Sequence, residues 1–275
     1  MCRWIAYSGK PIFMDEMILA PTNSLVDQSL NSREGKLSTN GDGFGVGWYD
    51  EKENPGLYRE ILPAWNDANL AHLSHQIRTP LFFAHVRAST GTATMRANCH
   101  PFTYGRWLFM HNGQIGDYAR CRRPLEGLLD DTLYHHRTGT TDSELIFLLM
   151  LQNGLDDDPA KAISDTIKQI SFVTDEYGTR KPFKLTICLS DGKRMYACRH
   201  SSAGIAPSLY WQQDENATKI ASEPLEDDGE TWTSISPDSL LIVDGTSKIV
   251  PLFPDHPLHH IWANILTTSD NELCH

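Results

Sequence analysis

The apolar positions of this chain follow a strand period near the start, a helical period in the middle, and a strand period again to the end. Residues 3–8 predict a short strand that carries the chain start into the structure. Thr22-Asn23-Ser24 offers a helix cap, residues 25–30 a helix turn, and residues 31–40 a polar loop. Residues 41–49, GDGFGVGWY, alternate glycine with bulkier residues, as a strand does where another backbone approaches closely. Residues 81–87 and 107–111 are further apolar strands. Between them residues 98–102 form a turn, because Pro101 disfavours helix at His100. The second strand is expected to stop at Asn112-Gly113, a strong hairpin-turn signal.

Thr141-Asp142-Ser143-Glu144 predicts a capping box ahead of an apolar helix over residues 145–151, ended by Asn153-Gly154. Asp158-Pro159 opens a second helix with the stripe Ala162, Ile163, Ile167 and Ile170. From Phe183 onward the pattern is β. Residues 183–189 and 194–199 flank the turn Ser190-Asp191-Gly192-Lys193, and strands follow at 208–212, 217–221, 239–243 and 247–251. No low-complexity linker and no internal repeat divides the chain. Strands, two helices and strands again predict one α+β domain in stacked layers over residues 2–251, with 252–275 as a tail of unassigned structure.

The chain has 275 residues, 40% hydrophobic and 21% charged, enough to bury a sizeable core. Its net charge of −11 and lack of a basic block argue against nucleic acid and anionic membranes as partners. Six scattered cysteines without a C-x-x-C pair, no apolar leader and no run of about 20 apolar residues predict a reduced, cytoplasmic protein. The twelve histidines include no H-E-x-x-H pattern, so no metal site and no cofactor is expected. The glycines at 43, 45 and 47 lack the spacing and the following helix of a dinucleotide fingerprint.

The candidate chemistry begins at Cys2. Its small side chain favours trimming of Met1, which would leave a thiol and a free α-amine on one residue. Such a residue is a nucleophile carrying its own base, with ordinary pKa values of about 8.5 and about 7.7–8.0. Three further pieces fit one substrate, a γ-glutamyl compound. Arg87 can grip its α-carboxylate bidentately, and Asp142 can pair with its α-ammonium. The Asn112 amide and the Gly113 N–H can hold the oxyanion formed when Cys2 attacks. Each also has a plainer use: Arg87 in a surface ion pair, Asn112-Gly113 as a hairpin turn, Asp142 as a complement to the helix dipole.

These pieces resemble the class II glutamine amidotransferases. The resemblance rests on Cys2, Gly41-Asp42-Gly43-Phe44-Gly45, His85-Val86-Arg87-Ala88-Ser89-Thr90, Asn98-x-His100-Pro101-Phe102, His111-Asn112-Gly113 and Thr141-Asp142-Ser143-Glu144, in the family's order. It implies the four-layer α-β-β-α sandwich of N-terminal nucleophile hydrolases. It implies Cys2, Asn112 and Gly113 as catalytic, Arg87, Thr90 and Asp142 as substrate-binding, and Gly43, His85, His100 and His111 as supporting. The segment after Arg87 departs from the Trp-Ala-Thr-His-Gly of sugar-phosphate amidotransferases, and no acceptor domain is expected after the sandwich. The resemblance therefore points to the stand-alone branch, which hydrolyses γ-glutamyl amides through a glutamyl thioester.

Two other readings stay open: a glutaminase subunit delivering ammonia to a separate synthase chain, and a non-catalytic γ-glutamyl sensor, which a retained Met1 would favour. Homo-oligomer formation is also open. The leaving-group pocket is expected to be lined by residues 31–40 and the region 95–102.

Overall fold

A computed structural model describes residues 2–34, 38–89, 91–226 and 231–254. The strands are β1 (Arg3–Phe13), β2 (Phe44–Tyr49), β3 (Gly56–Glu60), β4 (Arg78–Val86), β5 (Phe102–Tyr104), β6 (Trp107–Gln114), β7 (Lys184–Ser190), β8 (Met195–Ser201), β9 (Tyr210–Gln213), β10 (Ala217–Ala221), β11 (Thr233–Ser234), β12 (Ser239–Asp244) and β13 (Thr246–Pro251). The helices are α1 (Asp15–Ile18), α2 (Leu25–Leu30), α3 (Ala68–Gln76), α4 (Tyr118–Glu126), α5 (Asp131–His136), α6 (Asp142–Gln152) and α7 (Pro159–Glu176).

Among the described residues the strands form two sheets, ordered β11-β9-β10-β1-β4-β2-β3 and β13-β12-β8-β7-β6-β5. Every described pairing is antiparallel. Side chains on a strand alternate between faces, and here the alternation sorts residues into layers. On β1, Ile5 and Tyr7 pack with Met14, Met17, Leu25 and Leu70 under the first helices. Trp4 and Ala6 point the other way and meet Leu108, Met110 and Ala197 between the sheets. On β6, Trp107 and Phe109 face the α6–α7 side, packing with Leu145, Leu149 and Ile163. The result is helices, sheet, sheet, helices, the four-layer arrangement that the resemblance implies.

Several elements depart from their sequence expectation. Asn112-Gly113 is not a turn. It continues β6, with Asn112 opposite Thr186 and Gly113 opposite Leu185. Gly113 is required there by close approach: at φ 153° an added Cβ would lie 2.0 Å from the Lys184 carbonyl oxygen. The strand expected at 3–8 runs on to Phe13 through an irregularity in its pairing with β4 after Ser8. Helix α4 gives little sequence signal because it is polar and carries Pro124. The half-capping at α6 is real, since Thr141 Oγ1 accepts from the Glu144 N–H at 3.2 Å. The Glu144 carboxylate, however, turns to the N–H groups of Thr138 (2.9 Å) and Gly139 (2.7 Å). Of the tail expected from residue 252, Leu252 is buried in the core, and residues 255–275 lie outside the described residues.

The glycine alternation at 41–49 has the expected cause. A Cβ on Gly45 would sit 2.3 Å from the His100 carbonyl oxygen. Gly45→Ala should therefore destabilise the fold by about 1–3 kcal/mol, the usual range for overpacking. The denaturant midpoint of the purified variant checks this, and an unchanged midpoint would refute the close-packing account.

Candidate active site

Cys2 immediately precedes β1, whose Trp4 pairs with His85 and whose Arg3 pairs with Val86 of β4. The thiol lies against the chain just after β4: it donates to the Ala88 carbonyl (3.6 Å) and accepts from the Ala88 N–H (3.4 Å). Burial pushes the thiol pKa up, and the Ala88 contact and the Arg87 and Arg3 charges oppose that rise. Arg3 holds this residue in place. Its guanidinium donates to the Cys2 carbonyl (2.9 Å), while its Nε meets the Glu223 carboxylate at 2.6 Å, both side chains fully buried. Nothing in the sequence marked Arg3 or Glu223, because the pair is 220 residues apart in the chain and carries no local pattern.

The second sheet supplies the facing wall. Asn112 lies on the same face of β6 as Leu108 and Met110, toward the space between the sheets. It is buried, and neither its Nδ2 nor its Oδ1 has a protein partner. Buried amides without partners are rare. Cys2, Arg87, Asn112, Gly113 and Asp142 line one cleft of about 520 Å³.

Arg87 is buried, not the surface ion pair that was its plainer use. Its Nη1 donates to the Asp42 carbonyl (3.1 Å), and Nη2 to Thr92 Oγ1 (2.6 Å), Ser89 Oγ (3.3 Å) and the Ala93 carbonyl (3.3 Å). The Gly43 carbonyl accepts from the Arg87 N–H (2.8 Å), and the Asp42 carboxylate from the Ser89 N–H (2.7 Å), so the 41–45 motif braces the arginine from below. Asp42, Ser89 and Thr92 are contributors that residue-by-residue reading did not single out. Asp142, the first residue of α6, accepts from the N–H groups of Ile115 (2.8 Å) and Ser143 (2.9 Å), which fix its carboxylate at the cleft wall. Thr90 lies outside the described residues.

Three buried histidines meet at the cleft, which His100 and His111 line. His85 and His100 stack at 4.1 Å between ring centroids, and His100 meets Phe102 edge-on. His85 Nε2 donates to the His111 carbonyl (3.3 Å), and His111 Nδ1 bonds Ser143 Oγ (2.9 Å). Burial pulls His85 down to about 3, against the pull of the His111 carbonyl. Burial also lowers His100, helped by the His85 charge, and lowers His111 against the Asp142 charge. The three rings are neutral at neutral pH; His85 and His111 each make one hydrogen bond, whereas neither ring nitrogen of His100 has a protein partner.

The cleft continues past Gly113 along Gln114, Lys181, Pro182 and Lys184. The segments expected to line a leaving-group pocket contribute little to this cleft. Among the described residues none from 31–40 lines the cleft, and His100 alone does so from 95–102. The reason is topological: residues 33 and 34 are drawn to the Glu223 carboxylate by their N–H groups, at 2.9 Å each. Among the described residues no cluster of three or more His, Cys, Asp or Glu side chains is arranged to hold a metal ion. No helix among them is long and apolar enough to cross a membrane.

The histidine cluster sets a pH dependence. A folded-state pKa depressed below the unfolded value of about 6.5 means that the unfolded chain binds more protons below that pH. Stability is then complete above about pH 6.5 and falls as pH drops toward the folded-state value, by up to about 1.4 kcal/mol per pH unit for each histidine. Urea midpoints should fall from about pH 7 to about pH 5, and His85→Gln should flatten that slope; a wild-type midpoint constant over the window would refute the buried-neutral assignment.

The sequence model of the family described as glutamine amidotransferases class-II matches residues 15–206. The probable glutamine amidotransferase DUG3 of Saccharomyces cerevisiae is 31% identical over 291 residues, covering 88% of this chain and 82% of that protein. The gamma-glutamyl-hercynylcysteine sulfoxide hydrolase of Mycolicibacterium smegmatis is 30% identical over 245 residues, covering 88% of this chain and 95% of that one. Among solved structures, a glutamine aminotransferase class-II domain protein from Silicibacter pomeroyi superposes with a TM-score of 0.73 at 35% identity, covering 91% of this chain and 99% of its own. The glutamine phosphoribosylpyrophosphate amidotransferase of B. subtilis, at TM-score 0.62 and 15% identity, covers 91% of this chain and 49% of its own, and shares the fold alone. The sandwich is thus the N-terminal nucleophile hydrolase fold that the motifs implied.

Proposed function

This chain belongs to the class-II glutamine amidotransferases, and from that premise we propose that it hydrolyses a γ-glutamyl amide bond with Cys2 as the nucleophile. The observation that carries the proposal is the buried, unpartnered Asn112 amide in the same cleft as the Cys2 thiol. A donor left without a partner in the folded protein costs stability. That cost is offset when a developing oxyanion arrives, so the Asn112 donor is worth most in the transition state.

The cycle follows from the residues present. Removal of Met1 frees the Cys2 amine, which takes the thiol proton. The thiolate attacks the γ-carbonyl, and the oxyanion is held by Asn112 Nδ2–H and the Gly113 N–H. The tetrahedral intermediate expels the amine, which takes its proton from the Cys2 ammonium. Water, with the same amine as base, then cleaves the glutamyl thioester and releases glutamate. Arg87 holds the α-carboxylate and Asp142 the α-ammonium throughout. The cleft beyond Gly113 gives room for a leaving amine larger than ammonia. The substrate is accordingly a small γ-glutamyl amine, of the kind named for the Mycolicibacterium relative. We place the enzyme in the cytoplasm, where its five described cysteines, all unpaired, stay reduced.

A panel of glutamine, γ-glutamyl peptides and other γ-glutamyl amines, assayed for glutamate release with protein whose mass shows loss of Met1, tests this reading. Strong release from a larger amine is expected. Release from glutamine alone, and only when a partner chain is added, would favour ammonia delivery instead, and tight binding without release would favour a sensor. Cys2→Ala should abolish turnover while leaving the fold intact. Asn112→Ala should lower kcat by about 10²–10³ with little change in KM, as loss of one oxyanion donor does. Arg87→Lys should mainly raise KM, since a point charge replaces a fork. Wild-type glutamate release from Cys2→Ala would sink the mechanism.

A further inference from the structure

The two groups assigned to the α-amino-acid end of the substrate reach the cleft from different layers. Arg87 follows β4 in the first sheet, and Asp142 opens α6, which packs on the second. An amino-acid clamp needs these two groups at a fixed separation, yet no strand pairing joins their segments. One buried side chain spans the gap. Asn98 closes the short turn at Arg96–Asn98 and is fully inaccessible. Its Nδ2 donates to the Ala93 carbonyl (2.8 Å) and to Thr140 Oγ1 (3.1 Å), and its Oδ1 accepts from the Thr140 N–H (2.8 Å).

Each end of that bridge leads directly to one arm. The Ala93 carbonyl that Asn98 holds also receives Arg87 Nη2 (3.3 Å), beside the Thr92 hydroxyl that receives the same nitrogen. Thr140 precedes Thr141, the cap of α6, whose first residue is Asp142. The loop on that side is pinned from below as well, by the Glu144 carboxylate on Thr138 and Gly139. A single primary amide, with donors and acceptor all engaged, therefore ties the arginine's loop to the aspartate's helix cap. Its two ends cannot be exchanged for charged or apolar groups without stranding a buried N–H or C=O.

We propose that Asn98 is a positioning residue that sets the spacing between the carboxylate grip at Arg87 and the ammonium grip at Asp142, and so confers selectivity for a free α-amino acid at the glutamyl end. The proposal rests on the reading of Arg87 and Asp142 given above. Asn98 touches no reacting atom. It acts by holding two loops in register, and its loss should weaken recognition of ligands that use both grips more than of ligands that use one.

The test is calorimetric binding of L-glutamate and of glutarate, which lacks the ammonium, to full-length protein carrying Cys2→Ala, so that turnover plays no part. In this parent, L-glutamate should bind better than glutarate. Adding Asn98→Ala should weaken L-glutamate by about tenfold or more, leave glutarate within about threefold, and erase the preference. Asn98→Asp keeps the acceptor for the Thr140 N–H but loses both Nδ2 donations and sets a carboxylate against the Ala93 carbonyl, so it should weaken L-glutamate at least as much as Asn98→Ala. Thr140→Val removes only the hydroxyl arm and serves as the second variant if Asn98→Ala does not fold; it should erode the preference in the same direction by a few fold. An unchanged preference in the folded variants, or equal weakening of both ligands, would overturn the positioning role. A parent that binds neither ligand would overturn the clamp itself, and this proposal with it.

Discussion

The structure depends on β1 being paired along both edges. It lies between β4 and β10 in the middle of the first sheet, so the residues at its start have little freedom. With Trp4 and Ala6 committed to the layer between the sheets, and Ile5 and Tyr7 committed to the helices, register is fixed by burial on both faces. A slip of one residue would move Trp4 out of the inter-sheet core. Cys2, two residues before Trp4, inherits that placement. It comes to rest where the inter-sheet layer ends and the cleft begins, against Ala88 and facing the wall that carries Asn112.

Electrostatics around this residue are arranged by burial more than by net charge. A chain with net charge −11 holds Arg3 and Arg87 buried beside its thiol. Arg3 is compensated by Glu223, an ion pair whose breakage would leave a buried charge uncompensated. Arg87 has no carboxylate partner among its hydrogen bonds. Neutral oxygens of Asp42, Ser89, Thr92 and Ala93 hold it, and its charge stays available for an anion. Asp142 is the mirror case, a carboxylate held by two backbone N–H groups and not by a cation. The printed hydrogen bonds of both side chains thus run to neutral groups, as the proposed grip on a zwitterionic ligand requires. The three buried histidines beside them stay neutral, so they add no competing charge.

The layers and the chemistry were legible to very different degrees. The period-2 runs at β1, β4 and β6 and the amphipathic stripe of α7 could be read directly, because burial of one face imposes them locally. The glycine alternation before Tyr49 was legible as close approach, since a missing Cβ has few other uses in a strand. Asn112-Gly113 carries a turn signal yet lies within β6, because the same dipeptide serves two purposes. What distinguishes them is the Lys184 backbone pressed against Gly113, and that neighbour is distant in sequence. Helix α4 hid behind Pro124 and a polar surface. The Arg3–Glu223 pair and the Lys181–Lys184 wall had no sequence signature, and the Asn98-x-His100-Pro101-Phe102 motif marked Asn98 without showing what it bridges.

Local pattern was enough to nominate the candidate residues and their order: a cysteine at the second position, an arginine after one strand, an asparagine in another, an aspartate at a helix start. Those are properties of residues and their immediate neighbours, written in local pattern. How they meet depends on the packing of distant segments. Two sheets packed face to face bring Cys2 and Asn112 onto opposite walls of one cleft. Burial strips the Asn112 amide of partners, and hydrogen bonds between distant loops fix the gap between Arg87 and Asp142. Separation, desolvation and unsatisfied valence depend on what lies across the fold, and no segment of chain encodes its neighbours across the fold in its own pattern.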